Sequence, residues 1–323
     1  MGSIWSQTCS IGRRPPLRGH LKTQAAVVGA GMAGVLTAYA LQQAGLSVVV
    51  LEAGRIAGGQ TQNTTAKITS QHGLIYSRLI RSFGEETARR YAKANQDAVR
   101  AYQDLIDVQG ISCDWEGRCA YLYGPDVTVL QEEAEAARRL GLPASFTREV
   151  SIPIPHDGAV CFEGQAQFHP LKFLKVLADQ LTIYEQSRVL TAEGDLLTTE
   201  LGSVQAEHIV FACHFPFVNF PGMYFARMHQ ERSYVLALQG APPVDGMFLG
   251  VGRDTFSLRT YGELLLLGGG GHRTGENTEG GRYDLLRRKA REWFPQSQET
   301  AHWSAQDCIP PDHVPYIGPY SSS

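Results

Sequence analysis

The sequence predicts an α/β protein in which a doubly wound, Rossmann-like domain is combined with a discontinuous α+β domain built on an antiparallel sheet. Near the N-terminus, a glycine-rich turn separates a short apolar run from a helical pattern, and a second apolar run follows. This order of strand, turn, helix and strand is typical of a parallel sheet with crossover helices. Beyond residue 216, short apolar segments separated by turn residues indicate antiparallel strands.

Length and composition are those of a globular protein with room for two domains. The 323 residues are 43% hydrophobic and 19% charged, which is ordinary for this class. A formal net charge of −3 gives no reason to expect nucleic acid or an anionic membrane as a partner. No apolar run approaches a membrane span, and no signal peptide is recognisable. Six cysteines without metal-type spacing indicate reduced thiols, so we expect a cytoplasmic protein without a metal site.

The first glycine-rich turn has the form G-x-G-x-x-G and follows the apolar run at residues 25–28. Gly29 permits the tight turn, Gly31 lets a pyrophosphate approach the backbone, and Gly34 lets the helix pack closely on the sheet. Glu52 ends the second apolar run, 18 residues after Gly34. A carboxylate there can accept hydrogen bonds from a ribose diol. Together these features predict a dinucleotide site.

The segment after Glu52 favours a flavin dinucleotide over a nicotinamide one. Both cofactors share the ADP half, so the glycines cannot distinguish them. Residues 53–69 form a long polar loop of small residues, whereas a nicotinamide enzyme would more usually turn directly into the next helix. Amides and hydroxyls along such a loop suit the diphosphate and ribityl chain of FAD. We therefore predict noncovalent FAD, with an NAD-dependent dehydrogenase as the weaker alternative.

Three segments carry a resemblance to a known family. They are residues 59–76, which contain Asn63-Thr64-Thr65-Ala66-Lys67, the segment Gln165-Ala166-Gln167-Phe168-His169-Pro170, and the closing Pro315-Tyr316-Ile317-Gly318-Pro319-Tyr320. The chain resembles the FAD-dependent oxidoreductases of the D-amino-acid oxidase and glycine oxidase superfamily over nearly its whole length. More narrowly, it resembles a bacterial branch whose members often carry a Rieske iron–sulfur domain downstream. The resemblance implies an FAD-binding domain with a substrate domain placed over the flavin.

Patterns along the chain predict the individual elements and the domain boundaries. Helices are predicted at residues 35–44, 82–110, 127–140, 170–180 and 282–293, and four glycines from Gly268 to Gly271 are predicted to end a strand. Residues 1–21 are predicted to be an extended arm. The FAD-binding domain is assigned to residues 22–82, 161–215 and 300–323, and the substrate domain to residues 83–160 and 216–299.

The motif, the loop and the resemblance define the candidate cofactor-binding residues. Two of them, Val189 and Ala212, come from the resemblance, which implies that the chain passes the adenine near Val189 and the flavin near Ala212. The full set is Gly29, Gly31, Met32, Ala33, Gly34, Glu52, Ala53, Arg55, Gly59, Thr61, Thr64, Thr65, Ala66, Lys67, Val189 and Ala212.

Candidate catalytic residues are few, because a flavin enzyme needs no metal or nucleophilic triad. Lys67 could place a cation near the reduced flavin or could make a phosphate or surface contact. Arg259 and Tyr261 lie two apart on a predicted strand and so share one face. Such a pair could clamp a substrate carboxylate or form an ion pair on a solvated sheet. His72 could line the flavin pocket or cap a helix, and His272 could reach the pocket or lie in a hairpin turn.

The leading functional hypothesis is FAD-dependent oxidation of an amine or amino acid by hydride transfer to the flavin. The electron acceptor, oxygen or a redox partner, is left open. Relatives that look like this chain continue beyond Tyr320 with a strand and helix that meet the flavin ring. The alternative hypothesis is therefore a truncated, non-catalytic flavin-binding fragment, and the resemblance carries no Rieske domain over to this sequence.

Overall fold

The structure, a computed structural model, describes residues 2–220, 222–252, 254–276 and 279–319. Residues 320–323, the last part of the predicted FAD-binding domain, lie outside these ranges, as does Tyr320 of the closing segment. The helices are α1 Ile4–Thr8, α2 Met32–Gln43, α3 Tyr76–Gln109, α4 Val127–Arg139, α5 Pro170–Ala178 and α6 Arg282–Trp293. The strands are β1 Gly19–Val28, β2 Val48–Leu51, β3 Lys67–Ile68, β4 Glu116–Gly124, β5 Ala144–Thr147, β6 Gly158–Gln167, β7 Thr182–Tyr184, β8 Thr191–Glu193, β9 Leu196–Thr198, β10 Gly202–Phe211, β11 His229–Gln239, β12 Met247–Gly250, β13 Phe256–Tyr261, β14 Leu264–Arg273 and β15 Gln298–Ile309.

The first sheet contains the predicted strand–turn–helix–strand unit. Its strand order is β7-β2-β1-β10-β9-β8, with β7, β2, β1 and β10 parallel to one another. Helices α2 and α5 pack on one face through Val35, Ala38 and Leu174. Leu17 and Val189 pack against the opposite face. This arrangement confirms the predicted Rossmann-like sheet, since both faces of its central strands are buried.

The second sheet confirms the predicted α+β part of the molecule. Its order is β15-β11-β14-β13-β12-β4-β6-β3, and β5 also pairs with β6. Among these neighbours β12 and β4 are parallel, and the other pairs are antiparallel. Helices α3 and α4 pack on one face around Leu122 and Phe162. Helix α6 packs on the other face through Leu286 and Ala290.

Helix α3 starts on a buried carboxylate. Glu133 of α4 has no exposed surface and accepts hydrogen bonds from the backbone N–H groups of Tyr76 at 2.7 Å and Ser77 at 3.0 Å. A negative charge is favourable there because the first N–H groups of a helix have no partners within it. Helix α3 also departs from helical geometry at Gly84, where φ is +79°. It therefore begins earlier than the predicted helix and contains a kink.

The N-terminal segment differs from the predicted extended arm. Residues 4–8 form α1, capped by the Ser3 side chain, which accepts a hydrogen bond from the Ser6 N–H at 3.3 Å. Trp5 has no exposed surface, and β1 begins at Gly19. The extended-arm prediction was wrong for residues 4–8, because the buried indole ties this segment to the interior, which no periodicity in so short a helix could reveal.

The prediction that four glycines end a strand was also wrong, since β14 continues through them to Arg273. A Cβ at Gly268 would lie 2.4 Å from Ser257 Oγ, and one at Gly269 would lie 2.6 Å from the Phe256 ring. The glycines therefore allow β14 to pass closely beside β13 rather than breaking the strand.

Residues after 300 begin in the second sheet, whereas the sequence placed them in the first domain. Strand β15 pairs along its length with β11, from Gln298 opposite Gln239 to Ile309 opposite His229. This pairing connects residues far apart in the chain, so no local pattern could predict it. In the described part of the chain, no helix is both long enough and apolar enough to cross a membrane.

Candidate functional site

Close backbone contacts explain two glycines of the turn between β1 and α2. Gly29 has a φ of +107°, and a Cβ there would lie 2.6 Å from the carbonyl oxygen of Ala212. A Cβ at Gly34 would lie 1.9 Å from the Gly29 carbonyl oxygen. The end of β10, the turn and α2 are therefore packed too tightly for any side chain at these positions. This packing brings Ala212 to the turn.

The Glu52 carboxylate is part of the same turn. One oxygen accepts the Ala30 N–H at 2.8 Å and the other accepts the Gly54 N–H at 2.7 Å. Each carboxylate oxygen can accept a second hydrogen bond. Glu52 therefore fixes the turn to the start of the loop and keeps acceptor capacity for a ribose diol.

A cavity of about 580 Å³ runs along the polar loop. One of its lining residues is Met32, the first residue of α2, whose N–H donates to Thr61 Oγ1 at 3.0 Å. Its walls come from the loop, from α3 and from the second sheet. The lining residues are Met32, Gln60, Thr61, Thr64, Thr65, Ala66, Lys67, Ile68, Thr69, Asn95, Ala98, Val99, Tyr102, Phe168, Ser233, Ala305 and Asp307.

These residues fit FAD by their chemistry. The amino end of α2 offers backbone N–H groups and a positive dipole end to a phosphate. The hydroxyls of Thr61, Thr64 and Thr65 and the ammonium of Lys67 can donate to a diphosphate and a ribityl chain. A Cβ at Gly31 would lie 3.3 Å from Thr61 Oγ1, so a larger residue would crowd the start of the cavity.

Lys67 is the cavity-lining residue with the most strongly altered titration. Its Nζ donates to the carbonyl oxygen of Phe248 at 3.2 Å. Burial, and secondly the nearby Arg259 guanidinium, lower the pKa of Lys67 to about 7, because both disfavour the charged form. Lys67 can therefore exchange a proton close to neutral pH.

Arg259 and Tyr261 share a face, as the strand pattern predicted, but neither lines the cavity. Arg259 Nη1 donates to the Ala66 carbonyl oxygen, and the guanidinium lies 5.3 Å from the Trp5 ring centroid. Tyr261 donates its hydroxyl hydrogen bond to Asp114 Oδ2 at 2.6 Å. Arg259 is 1% exposed, so the structure places it behind the loop rather than in a position to clamp a substrate.

The two histidine candidates also lie away from the lining residues. His72 is exposed, with its Nδ1 3.0 Å from the Tyr91 hydroxyl. His272 places Nε2 3.0 Å from the Tyr234 hydroxyl and Nδ1 2.9 Å from the Arg273 carbonyl oxygen. Of the five catalytic candidates, the structure brings only Lys67 into the cavity.

The cofactor candidates divide into groups by position. Met32, Thr61, Thr64, Thr65, Ala66 and Lys67 line the cavity, while Gly29, Gly31, Ala33, Gly34, Glu52 and Ala212 form or contact the turn. Ala53 and Gly59 are exposed. Arg55 forms an ion pair with Glu185, and Val189 packs in the core of the first sheet.

Sequence reasoning missed the cavity residues contributed by other elements. Asn95, Val99 and Tyr102 come from α3, and Ser233 and Asp307 come from β11 and β15. The spacing of Asn95, Val99 and Tyr102 places them on one helix face, which is the signal that could have identified them. Nothing local marks Ser233 or Asp307, because they meet the loop through long-range strand pairing.

Comparison with known proteins agrees with this geometry. The family model of FAD dependent oxidoreductases, called DAO, matches residues 24–322. YhfW of Bacillus subtilis (strain 168), named for a Rieske 2Fe-2S iron–sulfur centre, is 34% identical over 99% of this chain and 67% of its own length. Gamma-glutamylputrescine oxidoreductase of Escherichia coli (strain K12) is 26% identical over 58% of this chain and 47% of its own length.

Solved structures show the same fold. Glycine oxidase from Geobacillus kaustophilus superposes with a TM-score of 0.73 at 17% identity, covering 94% of this chain and 87% of that one. The chain thus spans about two thirds of YhfW, under half of the Escherichia coli relative and most of the glycine oxidase. With the turn, the acid and the polar loop in place, the match of the family model establishes that the chain belongs to the DAO family of FAD-dependent oxidoreductases.

Proposed function

We propose that the chain uses noncovalent FAD to oxidise a small amine or amino acid. The observation that carries the proposal is the cavity that is lined by the amino end of α2, by the threonines of the loop, by Lys67 and by Asp307. The helix end and the threonines suit an anionic diphosphate, and Lys67 with its lowered pKa suits a reacting amine. The names of gamma-glutamylputrescine oxidoreductase and glycine oxidase support this substrate class. We also propose the division into the FAD-binding and substrate domains given above, except that residues 300–309 belong to β15 and therefore to the second sheet.

Several residues would hold the cofactor. The turn at Gly29–Gly34 and the amino end of α2 would hold the diphosphate. The Glu52 carboxylate would accept hydrogen bonds from the ribose hydroxyls. The hydroxyls of Thr61, Thr64 and Thr65 would bind the chain between the diphosphate and the ring. When bound, FAD supplies the acceptor for the hydride removed from the carbon beside the substrate nitrogen.

Residues of the chain prepare the substrate. Asp307 supplies a carboxylate on the wall formed by the second sheet, where it attracts an ammonium ion. With a pKa of about 7, Lys67 Nζ is poised to take the proton that the ammonium must lose before oxidation. In its charged form the same atom stabilises negative charge that develops nearby. Tyr102 and Phe168 add apolar surface that excludes water from the cavity.

Either oxygen or a redox protein would serve as the final electron acceptor. Likeness to YhfW, which is named for an iron–sulfur centre, favours a redox partner.

Anaerobic mixing tests the proposal. The FAD-loaded chain is mixed with a panel of primary and secondary amines and amino acids, and the loss of the oxidised flavin absorbance is followed. We expect at least one compound to bleach the flavin. Substitution Lys67→Met should slow that bleaching and shift its pH dependence, whereas the exposed Lys175→Met should not. A chain that binds FAD but is bleached by no compound would instead be a flavin-binding module.

A further inference from the structure

The loop that lines the cavity is held from behind by three side chains. Trp303 Nε1 donates to the Asn63 carbonyl oxygen at 2.9 Å. Trp5 Nε1 donates to the Thr64 carbonyl oxygen at 2.8 Å. A third bond runs from Arg259 Nη1 to the carbonyl oxygen of Ala66. Three carbonyls within four consecutive residues are therefore fixed by side-chain donors.

The donors come from three segments that are remote in sequence. Trp5 belongs to α1, Arg259 to β13 and Trp303 to β15. Their exposed fractions are 0%, 1% and 3%. Buried donors with a single partner give hydrogen bonds that water does not compete for. Each bond therefore fixes the position of a loop carbonyl with respect to the surrounding fold.

Fixing these carbonyls behind the loop affects the surface that faces the cavity. Two of the three bonded carbonyls belong to Thr64 and Ala66, which line the cavity and would meet the cofactor. The third belongs to Asn63, directly before them. Ala66 has a φ of +56°, a left-handed conformation that is unfavourable for a non-glycine residue. The Arg259 bond to the Ala66 carbonyl stabilises this conformation at the residue preceding Lys67.

Stability of the fold does not by itself explain why the Arg259 guanidinium is buried. In the described part of the chain, its Nε and Nη2 atoms have no hydrogen-bond partner although both are buried. A buried guanidinium with incomplete pairing is often less stable than an apolar side chain of similar volume. The guanidinium carbon lies 5.3 Å from the Trp5 ring centroid and 5.7 Å from the Tyr261 ring centroid. These cation–π contacts offset only part of the cost of burying the charge. A role in holding the loop accounts for a guanidinium at this position.

We infer that Trp5, Arg259 and Trp303 are positioning residues that hold loop residues 60–66 in the conformation that binds FAD. Helix α1 thus contributes to the cofactor site through Trp5, although no residue of α1 lines the cavity. The inference rests on the FAD-binding part of the proposed function. Without the three bonds the loop would sample other conformations, and the apparent dissociation constant for FAD would rise in inverse proportion to the fraction of chains that keep the binding conformation.

The test compares three variants of the full chain loaded with FAD. Trp5→Phe removes one indole N–H and keeps an aromatic ring, and Arg259→Met removes the guanidinium. The matched control is Trp293→Phe, because Trp293 packs against Phe256 on the opposite face of the second sheet. FAD release after dilution is followed by the recovery of free flavin fluorescence. Hydrogen–deuterium exchange is measured for peptides that cover residues 60–68.

We expect Trp5→Phe and Arg259→Met each to weaken FAD binding by about two- to tenfold, the range for loss of one net hydrogen bond. Exchange should accelerate in residues 60–68 only, and the flavin that remains bound should keep the wild-type spectrum. Trp293→Phe should match the wild type in every measurement.

Other results would overturn the inference and are separable from failure of the proposed function. If the wild-type chain binds FAD and both variants release it at the wild-type rate, the bonds from Trp5 and Arg259 do not position the site and the inference is wrong. If exchange accelerates throughout the chain together with a fall in the melting temperature, the residues have only a general structural role. A wild-type chain that binds no FAD would refute the proposed function itself.

Discussion

Titration of Lys67 provides the sharpest test of the cavity's electrostatics. In the folded chain its pKa is lowered from 10.5 to about 7. Between these values the unfolded chain binds more protons than the folded chain, so the free energy of unfolding rises with pH. At 1.36 kcal/mol per pH unit, complete linkage would amount to about 5 kcal/mol. Lys67 is half-buried on the wall of a cavity, where solvent screening weakens its interactions. We therefore expect the pH-linked change in the free energy of unfolding to be about 1–2 kcal/mol.

The measurement is urea unfolding of the FAD-free chain and of Lys67→Met at several values between about pH 7 and pH 10. Wild-type stability minus variant stability should rise by about 1–2 kcal/mol across this window, because only the wild type carries the linked proton. The exposed Lys175→Met is the control and should run parallel to the wild type. If the Lys67→Met profile also runs parallel to the wild type, the charged form of Lys67 is not disfavoured by its surroundings and the argument is wrong.

Three further substitutions test the turn and the helix start. Glu52→Gln should weaken FAD binding by about tenfold or more, since hydrogen bonds to a charged group contribute about 1.5–3 kcal/mol; an unchanged dissociation constant in a flavin fluorescence titration would contradict this. Gly34→Ala should prevent FAD binding, because its Cβ would lie 1.9 Å from the Gly29 carbonyl oxygen; retention of flavin on gel filtration would rule out that close contact. Glu133→Ala should lower the free energy of unfolding by about 3–5 kcal/mol, because it leaves two amides at the start of α3 without a carboxylate partner. A loss below about 1 kcal/mol in urea unfolding would show that water replaces the carboxylate as the hydrogen-bond acceptor.

Local patterns predicted those parts of the fold whose signals are contained within one element. The G-x-G-x-x-G turn lies between β1 and α2 as expected, and α6 has the predicted bounds Arg282–Trp293. Both depend on short-range rules, namely glycine geometry and helical periodicity. The resemblance to the D-amino-acid oxidase and glycine oxidase superfamily was confirmed by the family match over residues 24–322.

Long-range contacts account for what the sequence could not predict. Alternation along β13 correctly placed Arg259 and Tyr261 on one face, but it could not show that Trp5 would pack over that face. The sequence therefore left Arg259 as either a substrate clamp or an ion-pair partner on a solvated sheet, whereas it is buried and bonds the carbonyl of Ala66. Asp307 escaped notice for the same reason, since it reaches the cavity only through the pairing of β15 with β11.

The visible absorption spectrum tests the central claim most directly, namely that the cavity beside residues 60–69 holds FAD without a covalent bond. The purified chain is incubated with FAD, passed through a desalting column, and its spectrum is recorded before and after denaturation. We predict flavin bands that elute with the protein and move entirely to the small-molecule fraction after denaturation. A colourless protein after desalting would contradict the account, because the turn, Glu52 and the threonine loop would then not form a working cofactor site.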